Sequence, residues 1–198
     1  MGNIIPDFGD SFIAEGATDP SSSPTGGSGY SGPRRMAFIC SKGNLDMAYP
    51  ALIMANAALG EGIEVHIFFT FWGLDLVDVR TMDNLKFTFL GNTAMHMPQM
   101  ERFVGGSAAA SMPQGLALVP GMTAVATKMM KQQMADLDIP DVRGMVEQVK
   151  MMGAHLWACK LTVDMMQIKK ANLHPAVEDV ISATDFIELS EGAQIVFV

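Results

Sequence analysis

Between residues 36 and 70 the apolar positions fall into two unbroken runs, separated by a segment with helical spacing. Residues 36–40, Met-Ala-Phe-Ile-Cys, are apolar throughout, as expected of a strand buried in a parallel sheet. The next six residues, Ser-Lys-Gly-Asn-Leu-Asp, make a strand-to-helix turn, with Gly43 for the bend and Asn44 or Asp46 near the N-cap. Leu45, Tyr49, Leu52 and Leu59 then lie on one face of a helix, which Gly60 and Gly62 end. Pro50 either kinks this helix or marks its true first turn. Residues 63–70, Ile-Glu-Val-His-Ile-Phe-Phe-Thr, form the clearest strand of the chain, β-branched and aromatic. A strand-helix-strand unit of this kind closes right-handed.

The pattern loosens after residue 70. Residues 71–78 open at the carboxyl end of the second strand, where Trp72 can wall a pocket. Residues 86–90 fit either an edge strand or a packed loop, and residues 116–119 fit a third short strand. Helical spacing returns over 124–137 and again over 140–151, where Val142, Met145, Val146 and Val149 share a face until Gly153 stops the helix. A short apolar strand over 155–158 leads to Cys159 and Lys160, then a helical segment over 161–168. His174 and Pro175 break the chain, and Val180 and Ile181 are briefly extended. Ser182 caps a short helix with Asp185 three residues on, and residues 194–198 close as a strand. Strands alternating with helices around an elaborated middle predict a three-layer α/β sandwich on a mostly parallel sheet. The domain occupies residues 36–198. Residues 1–35 stand apart as a flexible or docking arm: 21–33 have a linker's Gly, Ser and Pro content, and Ile4, Ile5, Phe8, Phe12 and Ile13 could dock.

Composition narrows the function. Of 198 residues, 49% are hydrophobic and 17% charged, and the net charge is −8, so a nucleic-acid partner is not expected. Two cysteines make neither a disulfide framework nor a zinc site, and their scarcity points to a reducing cytoplasm. No basic segment followed by an apolar run suggests a signal peptide. Residues 104–127 are uncharged and about long enough to span a bilayer, but six Gly and Pro residues favour loops packed within protein. A peripheral membrane contact stays open. Met95, His96, Met97 and Met100 have the spacing of a soft Cu(I) site. The 18 methionines, Met129, Met130 and Met134 among them, better suit an adaptable core or partner-docking face, and no metal site is expected. No P-loop, Gly-x-Gly-x-x-Gly or Ser-His-Asp arrangement is present, and no cofactor is expected.

Cys159 is the residue on which the chemistry centres. A cysteine where a parallel strand hands over to a helix sits where such sheets bind ligands, and the helix's free N–H groups favour its thiolate. Lys160 adds a cation beside it and Thr162 can cap the helix. The plainer alternative is a buried structural cysteine. If the first strand ends nearby, Lys42, Gly43 and Asn44 could hold a sulfonate or persulfide anion. Cys40 would then be either a second, resolving thiol within disulfide reach or a core residue.

Four stretches carry a family resemblance: Ser-Lys-Gly-Asn-Leu-Asp at 41–46, Phe-Phe-Thr-Phe-Trp-Gly-Leu at 68–74, residues 120–131, and Gly-Ala-His-Leu-Trp-Ala-Cys-Lys-Leu-Thr-Val-Asp-Met-Met at 153–166. Across residues 36–198 the chain resembles the DsrE/DsrF-like sulfur-relay family, in its longer branch sometimes labelled peroxiredoxin-like. The resemblance implies a flavodoxin-like subunit that assembles into homo-oligomers. It also implies that sulfane sulfur is exchanged with rhodanese-like donors and TusA-like carriers. The family's motif cysteine falls on Cys159; the next position, often Gln in relatives, is Lys160, and Cys40 is not a residue many relatives carry.

The expected function is therefore a cytoplasmic sulfur carrier or sulfurtransferase subunit that holds sulfane sulfur or thiosulfonate on Cys159. The alternatives are a non-catalytic oligomeric binding or assembly subunit with a Met-rich docking face, and a flavodoxin-like small-ligand binder.

Overall fold

The computed structural model describes residues 34–92, 115 and 118–198. The two apolar runs become β1 (Arg35–Cys40) and β2 (Glu64–Phe69), joined by α1 (Leu45–Gly60). Pro50 lies inside α1 rather than at its first turn. After β2 come a 3-10 turn (Phe71–Leu76), α2 (Met122–Asp136) and α3 (Val142–Met151). The chain ends with β3 (His155–Cys159), α4 (Lys160–Met165), β4 (Asp179–Ile181), α5 (Ala183–Leu189) and β5 (Gln194–Phe197). Ser182 and Asp185 form the capping box of α5 that their spacing predicts.

All four strand pairings are parallel, in the order β4-β3-β2-β1-β5. The steps from β1 to β4 run one way across the sheet, and the return from β4 to β5 runs the other. Right-handed crossovers therefore put α1 and α3 on one face and α5 on the opposite face, which is the three-layer α/β sandwich expected. Alternation along the strands sorts the core in two. Phe38, Cys40, Val65, Ile67, Phe69, Leu156 and Ala158 pack with α1 and α3. Ala37, Phe68 and Cys159 join Phe186 of α5, whose ring stacks on Phe68 at 4.4 Å.

In the middle one open alternative is resolved and one expectation is revised. Leu85, Phe87 and Phe89 alternate in burial as a strand would, but they form a packed loop. Its amides are taken up by side chains instead of a neighbouring strand: Phe87 donates to Thr127 Oγ1 at 3.0 Å and Thr88 to Asp46 Oδ1 at 2.9 Å. Of the predicted strand at 116–119, Leu118 and Val119 are described; both are exposed and neither pairs into the sheet. The expectations for the N-terminal arm, for Met95, His96, Met97 and Met100, and for the start of the uncharged run at Val104 lie outside the described residues. Among the described residues, no helix is long and apolar enough to cross a membrane.

The turn after β2 is held hard against the end of β1. Thr70 donates its amide to Cys40 O at 2.9 Å, and a Cβ on Gly73 would stand 2.0 Å from that same carbonyl. Only glycine fits this approach. Gly73→Ala is expected to lower stability by about 1–3 kcal/mol, as overpacking does, read as a fall in thermal midpoint. An unchanged midpoint would mean that the two loops are not clamped in this way.

Candidate functional site

The site is assembled from the ends of β2 and β3 and the start of α4. Register pairs Phe69 with Ala158, so the next residues, Thr70 and Cys159, emerge side by side at the carboxyl edge. Cys159 is the N-cap residue of α4, with extended backbone (φ −71°, ψ 117°), which leaves the first-turn amides on its side. Thr162, 1% exposed, comes from that first turn. Its hydroxyl accepts the Phe71 amide at 3.1 Å and lies 3.3 Å from the Thr70 hydroxyl. Phe71 itself has a left-handed backbone, φ 46°, unusual for a bulky residue.

Desolvation and hydrogen bonding compete at the sulfur. Cys159 is 5% exposed, and burial alone pushes a thiol up. The hydroxyls of Thr70 and Thr162, with the amides of Thr162 and Leu161, outweigh that push and bring Cys159 below the ordinary thiol value of 9.0. Cys40 is the opposite case. Burial, with nothing to offset it, pushes its thiol up to about 12.

Several predicted site residues are placed elsewhere. Cys40 is level with Phe69 on β1, so β2 separates it from the cysteine strand, and its side chain joins the core on the other face of the sheet. Strands about 4.8 Å apart put two-strand neighbours near 10 Å, beyond the roughly 7 Å limit for a disulfide. The resolving-thiol idea fails on that geometry. Gly43 and Asn44 line a separate cleft with Asp75, Arg80 and Lys86, whose walls do not include Cys159. Lys42 is exposed on the same turn. The expected anion cradle is thus not brought to the sulfur, because β1 is not the neighbour of β3. Lys160 is exposed and its charge falls on Asp185 of α5; the donors at the sulfur are neutral. Thr162 does not cap α4, since Cys159 holds that position. Trp72 is 63% exposed and forms a rim rather than a pocket wall.

The residue that sequence reasoning left unassigned is Thr70. It lies inside the quoted Phe-Phe-Thr-Phe-Trp-Gly run, and that run was its only signal. The described histidines are otherwise employed. His66, 5% exposed, accepts the Trp157 indole N–H on Nδ1 at 3.3 Å and faces Glu64 through Nε2 at 3.1 Å. His155 pairs with Glu178 at the start of β3, and His174 with Glu147. Among the described residues, no group of three or more His, Cys, Asp or Glu side chains is arranged to hold a metal ion.

Fold and site together define a parallel α/β domain with an ionisable thiol at a strand's carboxyl end. A family model described as the DsrE/DsrF/DrsH-like family matches residues 33–198, and the chain belongs to that family. It is 38% identical over 146 residues to the sulfur carrier protein DsrE2 of Allochromatium vinosum, a match covering 73% of this chain and 86% of that protein. It is 24% identical over 165 residues to the uncharacterized protein YrkE of Bacillus subtilis, covering 83% of this chain and 97% of that one. Among solved structures, MTH1491, a protein of unknown function from Methanobacterium thermoautotrophicum, aligns at 9% identity and TM-score 0.48, over 83% of this chain and 99% of that one.

The opposite shifts of the two thiols predict selective chemistry. A lowered value means that the thiolate of Cys159 begins to form at lower pH, whereas Cys40 stays protonated until about pH 12. Iodoacetamide applied to the native chain at neutral pH is expected to label Cys159 and spare Cys40, as read by peptide mass mapping. Equal labelling of both, or of Cys40 first, would contradict the assignment.

Proposed function

We propose that this chain carries sulfane sulfur on Cys159 and passes it to a thiol of a partner protein. The observation that carries the reading is the ring of neutral donors, Thr70, Thr162 and the α4 amides, around a thiol held below its ordinary value. Sulfur transfer needs such a thiolate. The Cys159 thiolate attacks the outer sulfur of a donor persulfide, a new S–S bond forms, and the donor's S–S bond breaks. The donor leaves as a thiolate, with no net oxidation, and the step reverses when an acceptor thiolate attacks the Cys159 persulfide. Similarity to a protein named as a sulfur carrier supports the same reading.

The surroundings suit exchange between proteins. Trp72 (63%) and Leu161 (72%) are exposed beside the sulfur's two supporting loops, an apolar rim of the kind that seats a partner. On this reading the donor or acceptor is a rhodanese-like protein or a TusA-like carrier presenting its own cysteine. The subunit works as a homo-oligomer in the reducing cytoplasm, where thiols persist. Lys160, exposed next to the cysteine, supplies charge for an acidic partner rather than for the thiolate.

The test is whole-protein mass spectrometry after incubation with a small persulfide donor. Wild type is expected to gain about 32 mass units, one sulfur atom, and to lose it on addition of dithiothreitol. Cys159→Ser should gain nothing, while Cys40→Ser should load as wild type does. Loading that survives in Cys159→Ser would refute the proposal.

A further inference from the structure

Cys159 belongs to a cluster of four buried side chains on the α5 face of the sheet, with Ala37, Phe68 and Phe186. Ala37, Phe68 and Cys159 lie on β1, β2 and β3, so the sheet makes the floor of this cluster. The partly buried Ile39, Trp157 and Ile181 around them are strand residues as well. Phe186 is the one buried member that comes from outside the sheet. Its ring lies over that of Phe68, with centroids 4.4 Å apart and planes within 14°. Register pairs Phe69 with Ala158, which puts Phe68 diagonally next to Cys159 on the same face.

The roof is held far less firmly than the floor. Of the seven residues of α5, Phe186 alone is buried, while Ile187 is 69% exposed. The capping box of Ser182 and Asp185 holds α5 together but does not tie it to the sheet. By contrast, β2 and β3 are fixed by parallel ladders on both sides, and α4 is anchored by buried Thr162 and Val163. A helix of two turns has little stability of its own, so α5 keeps its place by tertiary contact, here chiefly one aromatic stack. Segments with so few buried apolar contacts open locally while the rest of the core stays shut.

We propose that Phe186 is the access-determining side chain of this site: seated on Phe68 it closes the α5 face over Cys159, and bulky thiol partners reach the sulfur when α5 lifts the ring away. This rests on the reading of Cys159 as the sulfur-bearing thiol. It accounts for a thiol that must meet another protein yet is 5% exposed. The closed site then selects against bulk.

The test compares iodoacetamide with the far bulkier fluorescein maleimide on the full chain at one pH, each read as the rate of labelling at Cys159 by peptide mass mapping. Both react with the same thiolate, so the ratio of their rates does not depend on how readily the sulfur ionises. Phe186→Ala is expected to speed the bulky reagent about tenfold or more and iodoacetamide by a smaller factor, the scale of one lost buried aromatic contact. Phe186→Leu still fills the seat and should keep the ratio within about twofold of wild type. Ile187→Ser, on the outer side of the same helix, should leave both rates unchanged. Cys40, buried on the other face, reports global unfolding and should stay unlabelled throughout. The access role is overturned if Phe186→Ala leaves the ratio unchanged, if Ile187→Ser changes it as much, or if Cys40 is labelled in step with Cys159. A chain whose ratio changes as expected but which takes up no sulfur would end the carrier reading and leave the access role standing. One that loads sulfur while Phe186→Ala leaves the ratio unchanged would do the reverse.

Discussion

Burying a sulfur that must ionise sets desolvation against hydrogen bonding, and everything at this site follows from how that contest is decided. A thiol taken out of water loses solvation for its anion, and nothing in an apolar core returns it. Cys40 records the outcome when nothing answers the burial, a thiol pushed up to about 12. Cys159 is only 5% exposed but much less deeply enclosed than Cys40, and its thiolate is favoured because two hydroxyls and two amides stand around it. The contrast arises within one chain and one sheet, between two cysteines that each end a parallel strand. What separates them is the face of the sheet and the strand that follows alongside.

Strand order is what brings the donors in. With β2 between β1 and β3, the residue beside Cys159 is the one that leaves β2, which is Thr70. An order with β1 next to β3 would instead have put Ser41, Lys42 and Gly43 there and made the site cationic. The close approach of Gly73 to Cys40 O locks the turn that follows Thr70, and the same turn carries the amide of Phe71 to Thr162. The neutral character of the site has a chemical consequence. On the proposed reading a persulfide has to be both held and surrendered, and hydroxyl and amide donors stabilise an anion without the deep electrostatic trap of a fixed ammonium.

Much of this was legible in the residues, and what was not has physical causes. The β1, β2, β3 and β5 strands, α1, α3 and the capping box at Ser182 follow from apolar runs, helical spacing and cap chemistry, all of them local signals. Cys159 was legible for the same reason, as a cysteine where a strand gives way to a helix. Thr70 was not, because its partnership with Cys159 depends on register between two strands about ninety residues apart, and no local pattern encodes register across a crossover. The β1 turn was misplaced for the same reason: its chemistry suits an anion, but strand order decides its neighbour. The loop at Lys86 stayed open between strand and loop for another reason. Leu85, Phe87 and Phe89 alternate like a strand, and only the tertiary partners of its amides, Thr127 and Asp46, distinguish it from one.

The central claim is that Cys159 ionises more readily than an ordinary cysteine in spite of being buried. The most direct measurement is the ultraviolet thiolate absorbance of the Cys40→Ser chain followed across pH, with Cys159→Ser as the blank. The account predicts one transition, centred below the ordinary thiol value and absent from the blank. A transition centred above that value, in the direction that burial alone drives, would contradict it.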